Sequence, residues 1–188
     1  MCSSDLEGHV NIPAPEAPSF IAVDKNSGKV LWTDKSPGTN ILHGQWSSPT
    51  VAELGGETQV LMGGGDGWLY SFAVQPEEGG KAKLLWKFDC NPKTSKYLLG
   101  GRANRNHIIG TPVVYDGLVY IAVGEDPEHG EGVGHLWCID PTKRGDVSPE
   151  IVYNKKDPST PIPHKRVQAC VPAEGDFTKE NQIGRAHV

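Results

Sequence analysis

The chain has 188 residues, 37% hydrophobic and 22% charged, with 23 Gly, 15 Pro and a formal net charge of −5. That balance describes a globular chain rich in turns, and so in β structure. No apolar run approaches the roughly 20 residues of a membrane-spanning helix, and no basic stripe points to nucleic acid or an anionic membrane.

The two ends stand apart from the rest. "IGRAHV" at 183–188 can be encoded ATC GGA AGA GCA CAC GTC. The reverse complement of its first five codons, GTG TGC TCT TCC GAT, reads Met-Cys-Ser-Ser-Asp from a GTG start, which is residues 1–5. The pairing extends into Leu6 and Gln182, and the DNA resembles a common sequencing adapter. Residues 1–6 and 183–188 are therefore expected to be adapter read-through, and they are set aside in reading the fold. Cys90, Cys138 and Cys170 remain, an odd number at irregular spacing that makes neither a disulfide framework nor a zinc motif.

In chain order, "FIAVD" and "KVLWTD" predict two strands around a polar turn at 24–28. A second segment runs "SSPTVAEL", "TQVLMGGG", "GWLYSFAV" and "KLLWKFD" over 47–89. A third runs "GTPVVYD", "GLVYIAVGE", "HLWCIDP" and "EIVYNKK" over 110–156. Pro49 and Pro112 open equivalent strands 63 residues apart. Each full segment thus predicts four short strands with tight turns, the layout of a β-propeller blade, at a spacing that requires insertions relative to the roughly 40–45 residues of WD repeats. The fold class is all-β, with residues 7–156 forming part of one blade and two four-stranded blades. A Pro-rich excursion occupies 157–182. An ordinary β-sandwich is the alternative.

"FIAV", "LYSFAV" and "LVYIAV" are apolar nearly throughout. A strand with one wet face alternates; a strand covered on both faces need not. The expectation is that these strands lie between stacked sheets.

The turn at 24–28 carries its own logic. Asp24 can accept backbone N–H bonds two and three residues on. Gly28 supplies a positive φ, and the following strand places Trp32 on a sheet face. Ala22, Asp24, Ser27, Gly28 and Trp32 resemble the PQQ-like repeat Ala-x-Asp-x-x-Thr-Gly-x-x-x-Trp, with Ser for Thr. The second segment keeps Trp86 in a looser turn; the third keeps Asp140 and Gly145, with Cys138 at the Ala position and Tyr153 near the Trp position. "HVNIPAPEAPSF", "HGQWSSP", "GGDGWLYSF" and "EDPEHGEGVGHLWCIDP" also resemble bacterial PQQ-binding-like propeller proteins. The resemblance covers about residues 18–156. It implies a ring of about eight blades and a periplasmic or secreted location. It also implies structural staples at Asp24, Gly28, Trp32, Trp86 and Asp140, each Trp docking on the Gly turn of an adjacent blade.

Two loops precede first strands, "HGQW" (43–46) and "GRANRNH" (101–107), and are expected side by side near the axis of the ring. His43, Gln45, Asn106 and His107 line this funnel. Trp46, Arg102 and Arg105 are the candidate cofactor-binding residues, because Arg suits carboxylates and Trp offers a stacking plane. The resemblance implies that such a funnel holds the quinone in PQQ dehydrogenases. Glu125, Asp126, Glu128, His129 and His135 are weak candidates for a divalent metal, at spacings that fit no known ligand motif. "GGGDG" at 63–67 joins two strands and opens no helix, so it lacks the dipole that favours phosphate.

Two functions compete. The favoured one is a binding or scaffold propeller with a protein or small-molecule ligand at the funnel and no catalytic residue in this stretch, as in the outer-membrane assembly factor that shares the repeat. The alternative is a dehydrogenase that oxidises alcohols or sugars with PQQ and calcium. It needs a Glu/Asn/Asp calcium cluster, a catalytic carboxylate and often a Cys-Cys pair, none of which is recognisable here.

Overall fold

The computed structural model describes residues 12, 14–42, 44–95, 104–124, 133–154, 157–161 and 181–185. The architecture is all-β, with no α-helix and one 3-10 turn, Gly38–Asn40, among those residues.

β1 (Phe20–Val23) and β2 (Val30–Asp34) form an antiparallel hairpin. Its turn is closed locally. Asp24 Oδ1 accepts from the Ser27 N–H at 2.7 Å, the Ser27 hydroxyl at 2.7 Å and the Asn26 N–H at 3.2 Å. Those bonds, the Ser27 hydroxyl first, hold the Asp24 carboxyl below its ordinary range. Gly28 sits at φ +71°, a conformation that costs any residue with a Cβ, and its N–H donates to Asp24 O at 2.8 Å.

The next four strands are a simple meander: β3 (Thr50–Leu54), β4 (Glu57–Gly63), β5 (Trp68–Ala73) and β6 (Leu84–Asp89), each antiparallel to the one before. β7 (Val113–Tyr115), β8 (Leu118–Val123) and β9 (His135–Ile139) form a three-stranded antiparallel sheet. β10 (Gly145–Asp146) then pairs in parallel with β6, Gly145 opposite Trp86.

The sheets stack face to face. β5 is buried at all six positions because its side chains alternate between two interfaces. Trp68, Tyr70 and Phe72 meet Phe20 and Trp32 of the first hairpin, with Trp32 and Phe72 ring centres 5.5 Å apart. Leu69 and Ala73 face the other way and pack with Val119, Ile121, Val123 and Ile139 of the β7–β9 sheet. The apolar run of β5 therefore reflects cover on both faces. β1 and β8 differ: each alternates buried and more exposed positions, with one neighbouring sheet covering each among the described residues.

The same joint occurs twice along the stack. Trp32 Nε1 donates to Val74 O at 2.9 Å, on the turn after β5, and Thr33 pairs in parallel with Lys81 across that turn. One sheet further on, Trp86 lies opposite Gly145, and the Val147 N–H donates to Lys87 O at 2.9 Å. Gln59 ties this second joint together. Its Oε1 accepts from Trp86 Nε1 at 2.8 Å while its Nε2 donates to Pro141 O at 3.0 Å. Asp140 closes the turn that leads to Gly145, accepting from the Thr142 hydroxyl at 2.6 Å and its N–H at 2.9 Å.

The last part of the third segment departs from the expected layout. β11 (Glu150–Asn154) does not become a fourth strand beside β9. It pairs with β12 (Asp157–Pro161) on one edge and β13 (Asn181–Arg185) on the other, and a strand has only two edges to offer. β12 lies in the stretch read as a Pro-rich excursion, and β13 includes residues 183–185 of the end set aside on codon grounds.

Candidate functional site

Three loops meet at one end of the β3–β6 sheet: the β4–β5 turn, the stretch after β6, and residues 104–108. The β4–β5 turn is glycine-rich for a packing reason. A Cβ on Gly67, at φ +81°, would collide with the Asn91 side-chain amide and with Asn106 O. Asn91 then stitches its own loop to the third one, donating from Nδ2 to Asn106 O at 2.8 Å and accepting the Asn106 N–H at 2.9 Å.

Inside this junction lies a buried cluster of charges. Asp89 Oδ2 accepts from Lys93 Nζ at 2.7 Å, and Arg105 reaches both Asp89 oxygens, Nη2 to Oδ1 at 3.2 Å and Nη1 to Oδ2 at 3.4 Å. Arg105 also donates to Ser95 Oγ at 3.2 Å and to Asp66 O at 3.3 Å. Lys93 places its ammonium over the Trp68 ring, 4.2 Å from the centroid, a favourable cation–π position. Asp66 takes the Tyr70 hydroxyl on Oδ2 at 2.6 Å and the Trp68 N–H on Oδ1 at 3.2 Å. Burial raises the Asp66 carboxyl to about 6, against the opposing pull of those two bonds and of Arg105. Burial also pushes the Tyr70 hydroxyl and the Cys90 thiol well above their ordinary values. Buried charges of this kind are tolerated only when paired and hydrogen-bonded, and breaking one pair strands the other charge. The cluster is a lock between loops.

Around the lock, the two loops that precede β3 and β7 run together. Ser47 Oγ donates to Gly110 O at 2.9 Å and Thr50 Oγ1 to Pro112 O at 2.6 Å. Gln45 Oε1 accepts the Gly65 N–H, and the Leu42 N–H donates to Gly65 O at 2.9 Å. Trp46 keeps its indole against Gly44 and is exposed to solvent. An open groove of about 500 Å³ lies beyond, between His107–Gly110, the end of β8 and the start of β9. Its imidazoles are those of His107, which is buried, and His135, stacked on Trp137 with ring centres 5.6 Å apart.

The candidate residues are thus distributed unevenly. Trp46 and Gln45 stand on the loop before β3, with Trp46 open to solvent. Arg105, Asn106 and His107 are placed on the adjoining loop but are drawn inside it, and Arg105 is fully buried. His135 lies on the groove, apart from any cluster. His43, Arg102, Glu125, Asp126, Glu128 and His129 lie outside the described residues. Among the described residues, no three His, Cys, Asp or Glu side chains gather as a metal cage, and no helix is long and apolar enough to cross a membrane. Sequence reasoning missed Asp66, Asp89, Lys93 and Ser95. The available signal was an Asp flanked by glycines between two apolar strands, a position where a carboxylate is buried and has to be partnered.

Compared with known proteins, the chain matches no family model and no curated protein.

Of the two candidate cations for the quinone carboxylates, Arg105 is committed to Asp89 within the fold, and Arg102 lies outside the described residues.

Proposed function

We propose that this chain is part of a PQQ-like repeat propeller that acts as a binding or scaffold module, in the periplasm or outside the cell. The observation that supports the reading best is the repeated joint, in which Trp32 and then Trp86 meet the turn of the following sheet. A joint of this kind holds stacked sheets together whether or not a cofactor binds. The surface offered to a ligand is the pair of adjoining loops with the exposed Trp46 indole, whose flat apolar face suits a ring or an apolar side chain of a protein partner. The dehydrogenase reading has less support: of its two candidate cations, Arg105 serves the internal lock, and Arg102 lies outside the described residues.

The test is calorimetric titration of the protein, in its full natural length, with PQQ and Ca²⁺, paired with a dye-linked alcohol dehydrogenase assay. The expected result is neither micromolar binding nor dye reduction. Micromolar PQQ affinity that disappears in Trp46→Ala would reverse the ranking. Particle images without a closed ring of blades would overturn the propeller itself.

A further inference from the structure

The β4–β5 turn holds both loops of the candidate ligand surface through its backbone. Toward the loop before β3, the Gly65 N–H donates to Gln45 Oε1, and Gly65 O accepts the Leu42 N–H at 2.9 Å. The approach is so close that a Cβ on Gly65 would collide with Gly44 O, and the Trp46 indole is folded onto the same Gly44. Toward the loop before β7, Gly64 O accepts the Ile108 N–H at 3.3 Å and Asp66 O accepts from Arg105 Nη2 at 3.3 Å. The placement of Trp46 thus depends on this turn.

Asp66 lies in the turn with its carboxyl buried. Oδ1 is pressed against Gly64, where a Cβ would strike it. Both cations of the junction are bonded to the other carboxylate, Asp89: Lys93 by its ammonium and Arg105 by its fork. Among the described residues, the Asp66 carboxyl receives only neutral donors, the Tyr70 hydroxyl at 2.6 Å and the Trp68 N–H at 3.2 Å. The charges that face it from neighbouring elements divide. Arg105, on the loop before β7 with His107, favours the ionised form, and Asp89, at the end of β6, opposes it. Asp34 of β2 acts on the Tyr70 hydroxyl, and the described residues of 41–49 carry no charged side chain. A buried carboxyl with neutral donors holds its proton into weak acid, and once ionised it gains by turning to water. Its value of about 6, raised first by burial, agrees.

We propose that Asp66 is a pH-sensitive latch: protonated, it keeps the turn closed and the Trp46 loop docked; ionised, it draws the turn outward and releases that loop. The surface read above as the ligand site is then ordered in weak acid and loosened near neutrality. That consequence rests on the binding reading, whereas the latch does not, and its test uses no ligand. The closed turn holds the proton more tightly than the open one, with Asp66 at about 6 against 3.8. Opening therefore becomes up to about tenfold easier with each pH unit between about 4 and 6, and levels off above.

The test is hydrogen–deuterium exchange of the protein in its full natural length, corrected for intrinsic rates, from about pH 4.5 to 7.5. It is read at the Leu42, Gly65 and Ile108 amides. The Val147 amide, bonded to Lys87 O beside the edge strand β10, is the reference, because exchange there does not require global unfolding. Protection at the first three sites is expected to fall by at least about tenfold across the range and then level off, while Val147 holds steady. In Asp66→Asn the three sites are expected to stay protected throughout. In Tyr70→Phe, which removes a donor to the ionised carboxyl, the fall is expected to move to higher pH. Protection that ignores pH in the wild type, an equal fall at Val147, or a fall that persists in Asp66→Asn would overturn the proposal. Circular dichroism checks each variant; where Asp66→Asn does not fold, Tyr70→Phe decides, and an unmoved midpoint overturns the latch.

Discussion

Arg105 and Asp89 face one another inside the loop junction, both fully buried, with guanidinium nitrogens 3.2 and 3.4 Å from the two carboxylate oxygens. This pair joins the end of β6 to the loop that leads into β7, so it ties together segments that the strand ladders leave separate. Removing the guanidinium takes one of its cations from buried Asp89, which keeps Lys93 Nζ and the Asn91 N–H. Arg105→Ala is expected to destabilise the fold by about 3–5 kcal/mol, whereas Glu77→Ala, on an exposed turn, should change stability by less than about 0.5 kcal/mol. In a double-mutant cycle, Arg105→Ala with Asp89→Ala should cost clearly less than the sum of the two. Urea melts of the four proteins decide it, and additive effects would show that the pair is not coupled.

The Trp86 indole is fully buried and donates to Gln59, which in turn holds Pro141 of the next sheet. Trp86→Ala removes packing from the second interface and leaves a buried Gln59 oxygen with one partner fewer. A loss of about 3–5 kcal/mol is expected. Trp86→Phe should recover most of the packing but not the hydrogen bond, leaving a deficit of about 1–2 kcal/mol. Equal losses in the two variants, measured by denaturant unfolding, would place the energy in the hydrogen bond instead of the buried area.

Asp66 makes stability depend on pH. Its carboxyl is raised from 3.8 to about 6 in the folded protein, chiefly by burial, so the folded state holds this proton more tightly than the unfolded chain does. The stabilisation from that proton is fully present below about pH 4 and fades as pH rises through about 6, a loss of about 3 kcal/mol over the window. Asp66→Asn imitates the protonated form and should remove this term. The measurement is the difference in unfolding free energy between wild type and Asp66→Asn from pH 4.5 to 8. A difference that does not move with pH, or one in which the wild type gains on the variant as pH rises, would contradict the burial of Asp66.

Gly28 and Gly67 both have positive φ, but their surroundings differ. Nothing lies within 4 Å of the position a Cβ would take on Gly28, while on Gly67 it meets the Asn91 amide and Asn106 O. Gly28→Ala carries only backbone strain, about 1–2 kcal/mol. Gly67→Ala adds a collision at the junction and should be worse by at least about 1 kcal/mol. Thermal melts rank the two, and the reverse order would mean that the loops around Asn91 yield easily.

The local order of this chain is legible in its sequence. The Asp24–Gly28 turn follows from an Asx side chain and a positive φ, both set by residues within five positions of one another. The four strands of 47–89 followed from apolar runs cut by glycine turns, and β5 from a run too apolar for one wet face. Interactions that close over long stretches of sequence were not legible. β11 reads as the partner of β9, and only the tertiary structure sends it to β12 and β13, since pairing is decided by which edges are free in space. Arg105 reads as a loop cation open to a ligand, yet it is buried because Asp89, sixteen residues earlier, ends β6 at the same junction. A sequence shows which groups are charged, but whether water reaches them depends on the packing of segments distant in the chain. That packing determined which residues of this protein serve the fold and which remain open to a partner.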